Sequence, residues 1–168
     1  MNKKLFACAV MIIFVITIIT VVLYLIKSNE EERFLTNHKN SPVLYELKAY
    51  AFSPSEVGMK KYTIYFDGWI EYYNKDIFDK TEKKGFSKIS KKELEELKKL
   101  ATEVDENNYE VRQYPYLSNA STRYEKIYNK TWVVLYKNEN GEEKVNKSET
   151  TEKILELVNN LYSKYCEK

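Results

Sequence analysis

Histidine, cysteine, clustered glycine and paired carboxylate are the residue types from which most active sites are built, and this chain is poor in all of them. Its one histidine, His38, lies in a polar segment, so imidazole acid–base chemistry has no partner nearby. Its two cysteines, Cys8 and Cys166, stand at opposite ends of the chain, and neither a disulfide nor a zinc spacing follows from them. The four glycines (Gly58, Gly68, Gly85, Gly141) are isolated in turn-like contexts and build no phosphate cradle. No Gly-x-Ser-x-Gly or Ser-x-x-Lys arrangement joins a nucleophile to a base. No cofactor and no metal are therefore expected. Acid pairs need no short motif, so Asp67, Glu71, Asp76, Asp79 and Glu125 remain as carboxylates from which a hydrolase could be assembled.

One segment does carry a contact chemistry. Residues 109–128, YEVRQYPYLSNASTRYEKIY, alternate tyrosine with arginine and show little periodicity. Long connections carrying their own aromatics are frequent binding loops, and Tyr and Arg are enriched where proteins meet partners. The candidate binding residues are Arg112, Tyr114, Tyr116, Arg123 and Tyr124. The competing reading is that these rings cover an open sheet face and that 124–128 is a further strand.

The elements that must position such a segment begin with a long apolar run. Residues 5–26 contain 22 residues without a charge, of which only Thr17 and Thr20 are not apolar. As a helix the run would be ~33 Å long, against a bilayer core of roughly 30 Å. No small-x-small cleavage site follows it, so an uncleaved anchor is expected rather than a signal peptide. Most of the apolar stretch follows Cys8, whereas in a lipoprotein the apolar segment precedes the cysteine. Asn119, Asn129 and Asn146 each begin an Asn-x-Ser/Thr triplet, which reads as chance in so Asn- and Lys-rich a chain. Setting Lys3 and Lys4 aside leaves 25 basic and 25 acidic residues, a balance that excludes a basic nucleic-acid binder.

The expected layout is a cytoplasmic start (1–4), a transmembrane anchor (5–26), a stalk (27–42) and an extracytoplasmic domain (43–168) at the cell membrane. Within the domain, 43–52 reads as a strand. Residues 60–73 read as a hairpin around Asp67-Gly68. A three-residue loop there pairs Ile64 with Ile70 and Tyr62 with Tyr72, keeping Glu71 off the apolar face. Residues 74–85 read as a charged loop, and 85–89 as a short edge strand. A capping box, Ser90 to Glu93, opens a helix carrying Leu94, Leu97, Leu100 and Ala101. Thr131–Lys137 reads as a central strand that Asn140-Gly141 turns into Glu142–Asn146, and Ser148 or Thr150 caps a second helix carrying Ile154, Leu155, Val158, Leu161, Tyr162 and Tyr165. The expected fold is α+β: an N-terminal transmembrane helix, then an antiparallel sheet of about five strands with two helices on one face, in the order β-hairpin-α-hairpin-α. Leu97, Leu100, Trp132, Val134, Leu155 and Val158 should share its core.

The segments Tyr62–Tyr72 (YTIYFDGWIEY) and Lys88–Leu97 (KISKKELEEL) resemble a family of small secreted or membrane-tethered bacterial domains of unknown function. In that family a Tyr-rich strand meets an Asp-Gly turn and an Ile-Ser-x-x-Glu-Leu helix start follows. Members often carry a cysteine-bearing loop before the Tyr-rich strand, which is SPSEVGM here, without cysteine. The resemblance implies an extracytoplasmic location and no particular activity. The functional expectation is a non-catalytic binding or accessory module with a protein or envelope partner. A carboxylate-dependent envelope hydrolase and a structural subunit of an envelope complex are the alternatives.

Overall fold

The computed structural model describes residues 3–37, 41–53, 56–77, 80–114, 122–139 and 141–166. The chain forms two compact units, Met1–Asn40 and Ser41–Lys168.

The first unit is one helix, α1 (Lys3–Asn37), continuous over 35 residues. Its side chains from Met11 to Ile26 are exposed all round. The two polar ones are satisfied within the helix: Thr17 and Thr20 donate their hydroxyls to the carbonyls of Ile13 and Ile16, at 2.9 and 2.8 Å. Among the described residues, no helix is long and apolar enough to cross a membrane. The run described in full, Met11–Ile26, rises only about 24 Å against a hydrocarbon core of roughly 30 Å. This overturns the transmembrane helix of the expected fold, whose length argument drew on all of 5–26.

The second unit corrects the expected strand count. Among the described residues it contains eight strands rather than about five, as two successive runs of four strands and a helix. The first run is β1 (Val43–Ser53), β2 (Glu56–Tyr65), β3 (Trp69–Asp76), β4 (Thr81–Lys88) and α2 (Lys91–Glu103). The second is β5 (Tyr109–Gln113), β6 (Thr122–Asn129), β7 (Thr131–Glu139), β8 (Glu142–Asn146) and α3 (Glu149–Tyr165). All strands join one sheet in the order β4-β3-β2-β1-β6-β7-β8-β5, with every pairing antiparallel. The edge strand expected at 85–89 is the end of a longer β4, the alternative strand reading of 124–128 is met by β6, and β5 was not expected. β4 and β5 are the two edges, and β4 opens with Thr-Glu-Lys-Lys, all exposed. An edge strand wetted on both sides needs no alternation and is protected from aggregation by its lysines. β6 points a glutamate, Glu125, into the core where an alternating strand would be apolar.

The β2–β3 hairpin pairs Ile64 with Ile70 and Tyr62 with Tyr72. Gly68 takes φ +87°, and its N–H donates to the Tyr65 carbonyl at 2.9 Å. This is the left-handed position that glycine fills without steric cost.

Both helices begin on engineered-looking local chemistry that the sequence spells out. Ser90 caps α2 by accepting from the Glu93 N–H at 3.3 Å, while the Glu93 carboxylate accepts from the Ser90 N–H at 3.1 Å. Ser148 caps α3 by accepting from the Thr151 N–H at 3.2 Å. The two helices lie side by side, joined by Lys164 and Tyr165, which donate to Glu93 at 2.7 and 2.8 Å. Leu97, Ala101, Ile154, Val158 and Leu161 from the helices share one core with Tyr45, Ile64, Ile70, Ile127 and Leu135 of the sheet. Leu100 and Leu155 pack at its margin. Trp132, expected in this core, is 41% exposed, and Val134 is half-buried. The helices cover one sheet face only, so alternate residues of β7 face away from them. There Trp132 meets the Tyr128 ring edge-on at 5.6 Å, and the Lys126 ammonium sits 4.1 Å from its ring.

Candidate functional site

Strand register assembles a polar row across the helix-side face of the sheet. Directly opposed residues share a face, and the pairings run Lys83–Asn74, Asn74–Lys60, Lys60–Ala49, Ala49–Arg123 and Arg123–Asn138. The parallel row nearer the core reads Tyr72, Tyr62, Leu47, Glu125 and Tyr136. Core therefore gives way to charge within one residue pair along each strand. Over the polar row lies an open cleft of about 620 Å³, roofed on one side by Asn159 and Tyr162 of α3. Its described lining holds four cations (Lys60, Lys75, Lys83, Arg123) and one carboxylate, Asp76.

Arg123 is the fixed point of this cleft. Its side chain is about half exposed, yet its guanidinium pairs with the Glu125 carboxylate, which is almost wholly buried. The other Glu125 oxygen accepts from the Tyr45 hydroxyl at 2.6 Å. A buried carboxylate is tolerable only when paired and hydrogen-bonded, and here both oxygens have partners. Burial, with the Glu125 charge second, pushes the Tyr45 phenol well above its ordinary value, so it stays a donor. The guanidinium also lies 5.4 Å from the centre of the Tyr136 ring. Tyr136 in turn donates to Glu143 at 3.0 Å, and Tyr114 donates to the other Glu143 oxygen at 3.1 Å. Arg123 is thus held from two sides while part of it faces the cleft, an arrangement that limits the entropy lost on gripping an anion.

The residues singled out from the sequence do not form one patch. Arg123 faces the cleft. Its neighbour Tyr124 faces the opposite side of the sheet, where the Lys126 ammonium lies 5.8 Å from its ring. Successive side chains of a strand must diverge in this way. Arg112 sits on the β5 edge and pairs with Glu110, whose carboxylate also takes Lys147 at 3.2 Å. Tyr114, 47% exposed, follows β5 and is separated from β6 by β8 and β7. Tyr116 lies outside the described residues. Among the carboxylates, Asp67 accepts from the Trp69 N–H at 3.4 Å inside its turn, and Glu71 accepts from Tyr65 at 2.9 Å. Asp76 lines the cleft, and Asp79 lies outside the described residues. Among the described residues, no three His, Cys, Asp or Glu side chains gather into a group that could hold a metal.

Lys60, Asn74, Lys83, Asn138 and Asn159 were not legible as site residues. They come from five elements, and nothing in local spacing links them. Asn146, one of the three Asn-x-Ser/Thr positions, is buried and structural. Its amide donates to the Asp105 carbonyl at 2.6 Å, and its oxygen accepts from Ser148 and Thr151 hydroxyls, each at 2.7 Å. On the outer face a smaller hollow of about 290 Å³ lies between Met59, Thr63 and Tyr73. Its carboxylate, Glu71, is already bonded to Tyr65.

No protein-family model, curated protein or solved structure matches the chain. The cleft has to be interpreted from its own chemistry.

Proposed function

We propose that residues 41–168 form a non-catalytic binding module that takes its ligand in the cleft beside α3. The carrying observation is the cleft itself: a concavity of about 620 Å³ in which a half-exposed arginine is held in place by a buried carboxylate and an aromatic ring. Ligand sites usually measure roughly 300–1,000 Å³ and rely on a few well-placed polar groups. Glu125, the acid that burial would otherwise single out as catalytic, has both oxygens committed to Tyr45 and Arg123. It serves to position the guanidinium.

The test uses the full chain in mild detergent, screened by thermal shift against small molecules and oligomers. Ligand at 100 times its Kd stabilises by about 2.7 kcal/mol. That shift should vanish in Ala49→Trp, which fills the cleft floor, and persist in Tyr124→Ala on the opposite face. The reverse pattern would move the site to the outer face and overturn the reading.

In the same proposal the apolar stretch 5–26 attaches the module to the cell membrane without crossing it. Support comes from the many large apolar side chains exposed between Met11 and Ile26, a surface of the kind that membranes cover. The full chain should sediment with membranes, and deletion of 5–26 should release it. A full chain found in the supernatant would refute the attachment.

A further inference from the structure

The polar row has a period. Lys83, Lys60 and Arg123 occupy alternate strands (β4, β2, β6 in the sheet order), so consecutive cations are two strand spacings, about 10 Å, apart. Between them stand Asn74, an amide, and Ala49, a methyl low enough to leave a floor. Asn138 continues the row past Arg123, and its next partner is Glu143, whose carboxylate would repel an anion and so ends the track. Asp76, the carboxylate of the lining, lies one residue pair further along the strands, opposite Gly58 and Thr81. On the roof side stand Asn159 and Tyr162, the latter packed on Tyr62 with ring centres 3.9 Å apart.

We infer that the cleft binds an acidic oligosaccharide laid across the strands from β4 towards β7, an inference that rests on the cleft being the binding site. Three features of the chemistry converge on this class. The cations offer charge-assisted bonds to carboxylates recurring along the chain. The carboxamides of Asn74, Asn138 and Asn159 each carry donors and an acceptor, as a hydroxyl that both gives and receives a hydrogen bond requires. The Tyr136 and Tyr162 rings, already packed by Arg123 and Tyr62, still line the cleft and add apolar surface that a pyranose can touch. An extended acidic peptide suits the row less well, because its same-side residues repeat every ~6.8 Å rather than about 10 Å.

Calorimetric titration of the full chain in detergent micelles with three probes tests this. Tetragalacturonate carries rings, hydroxyls and charge. Its fully methyl-esterified form keeps the rings and loses the charge. Linear inorganic polyphosphate keeps charge without rings. The acid form should bind, with an affinity that falls as salt rises, while the ester and polyphosphate should bind at least about 10-fold more weakly. Lys60→Gln combined with Lys83→Gln should weaken the acid form about 10-fold. Both are exposed positions, and an unchanged melting temperature would show that the fold is intact. Asp76→Asn should tighten binding.

Equal binding of the ester would show that charge has no part and overturn the inference. Equal binding of polyphosphate would overturn the saccharide assignment. No binding of any probe would also overturn it, while the cleft reading would still be judged by its own Ala49→Trp comparison.

Discussion

Replacing Arg123 by methionine probes a place where the fold holds a charge, that of Glu125, inside its core. Glu125 is 1% exposed, and its carboxylate has two partners, the Tyr45 hydroxyl at 2.6 Å and the Arg123 guanidinium. Arg123→Met leaves the charge facing apolar neighbours with the phenol alone. Removing one member of a fully buried pair costs about 3–5 kcal/mol. The arginine side chain is 47% exposed, so water already screens part of the pair, and about 2 kcal/mol is the expected loss. Glu125→Leu breaks the pair from the other end. It strands the Tyr45 hydroxyl, which costs about 1–3 kcal/mol, and the gain from the leucine's burial partly offsets this. The expected loss is about 1 kcal/mol. In the double variant no buried charge remains, so its loss should fall short of the sum of the singles by about 1–2 kcal/mol. Thermal unfolding of the full chain in detergent, followed through the near-UV signal of the tyrosines and tryptophans, reads this as roughly 3–6 °C per kcal/mol. Additivity within about 0.3 kcal/mol, or a loss below half a kcal/mol for Arg123→Met, would refute the claim that the pair anchors the cleft.

Glu93 is the clearest source of acid sensitivity. Burial alone would raise its pKa, but hydrogen bonds from Lys164, Ser90 and Tyr165 outweigh this and hold it at about 2. Because the folded value is depressed, the stability Glu93 contributes is fully present above about 4.5 and is lost as pH falls through about 2. Glu93→Gln should therefore lower the melting temperature at pH 7 and flatten its decline between those values; a decline as steep as in the parent protein would exclude Glu93 as its origin. Asn146→Ala should cost about 3 kcal/mol by stranding the buried Asp105 carbonyl and two hydroxyls at the start of α3, and denaturant titration checks it. Tyr114→Ala should shift the melting temperature by no more than about 3 °C, since the ring is 47% exposed and its hydroxyl bond to Glu143 is at the surface. A drop of 6 °C or more would make it a structural residue.

What could be known from the chain alone is what short-range chemistry determines. The capping box at Ser90 and Glu93, the left-handed Gly68 and the pairing of Ile64 with Ile70 each involve residues within six positions of one another, and each is local arithmetic on charge, φ and alternation. The leucine and valine stripes of α2 and α3 belong to the same class. Strand partnership is different. β1 pairs with β6 across some 75 residues, β5 travels to the far edge beside β8, and β4 and β5 carry no alternation because each lies at an edge. The strand reading of 124–128 matches β6, but the partner of its inward Glu125, Tyr45, stands 80 residues away and was not legible. Arg123 and Tyr124 looked like one contact patch, although adjacent residues of a strand face opposite sides. The cations of the polar row, Lys83, Lys60 and Arg123, come from β4, β2 and β6, so their spacing is a property of sheet order. Pattern within a segment is set by its own backbone period, whereas the neighbour of an edge or central strand is chosen by the packing of the whole domain, and it is this second choice that brought Lys83, Lys60 and Arg123 into line.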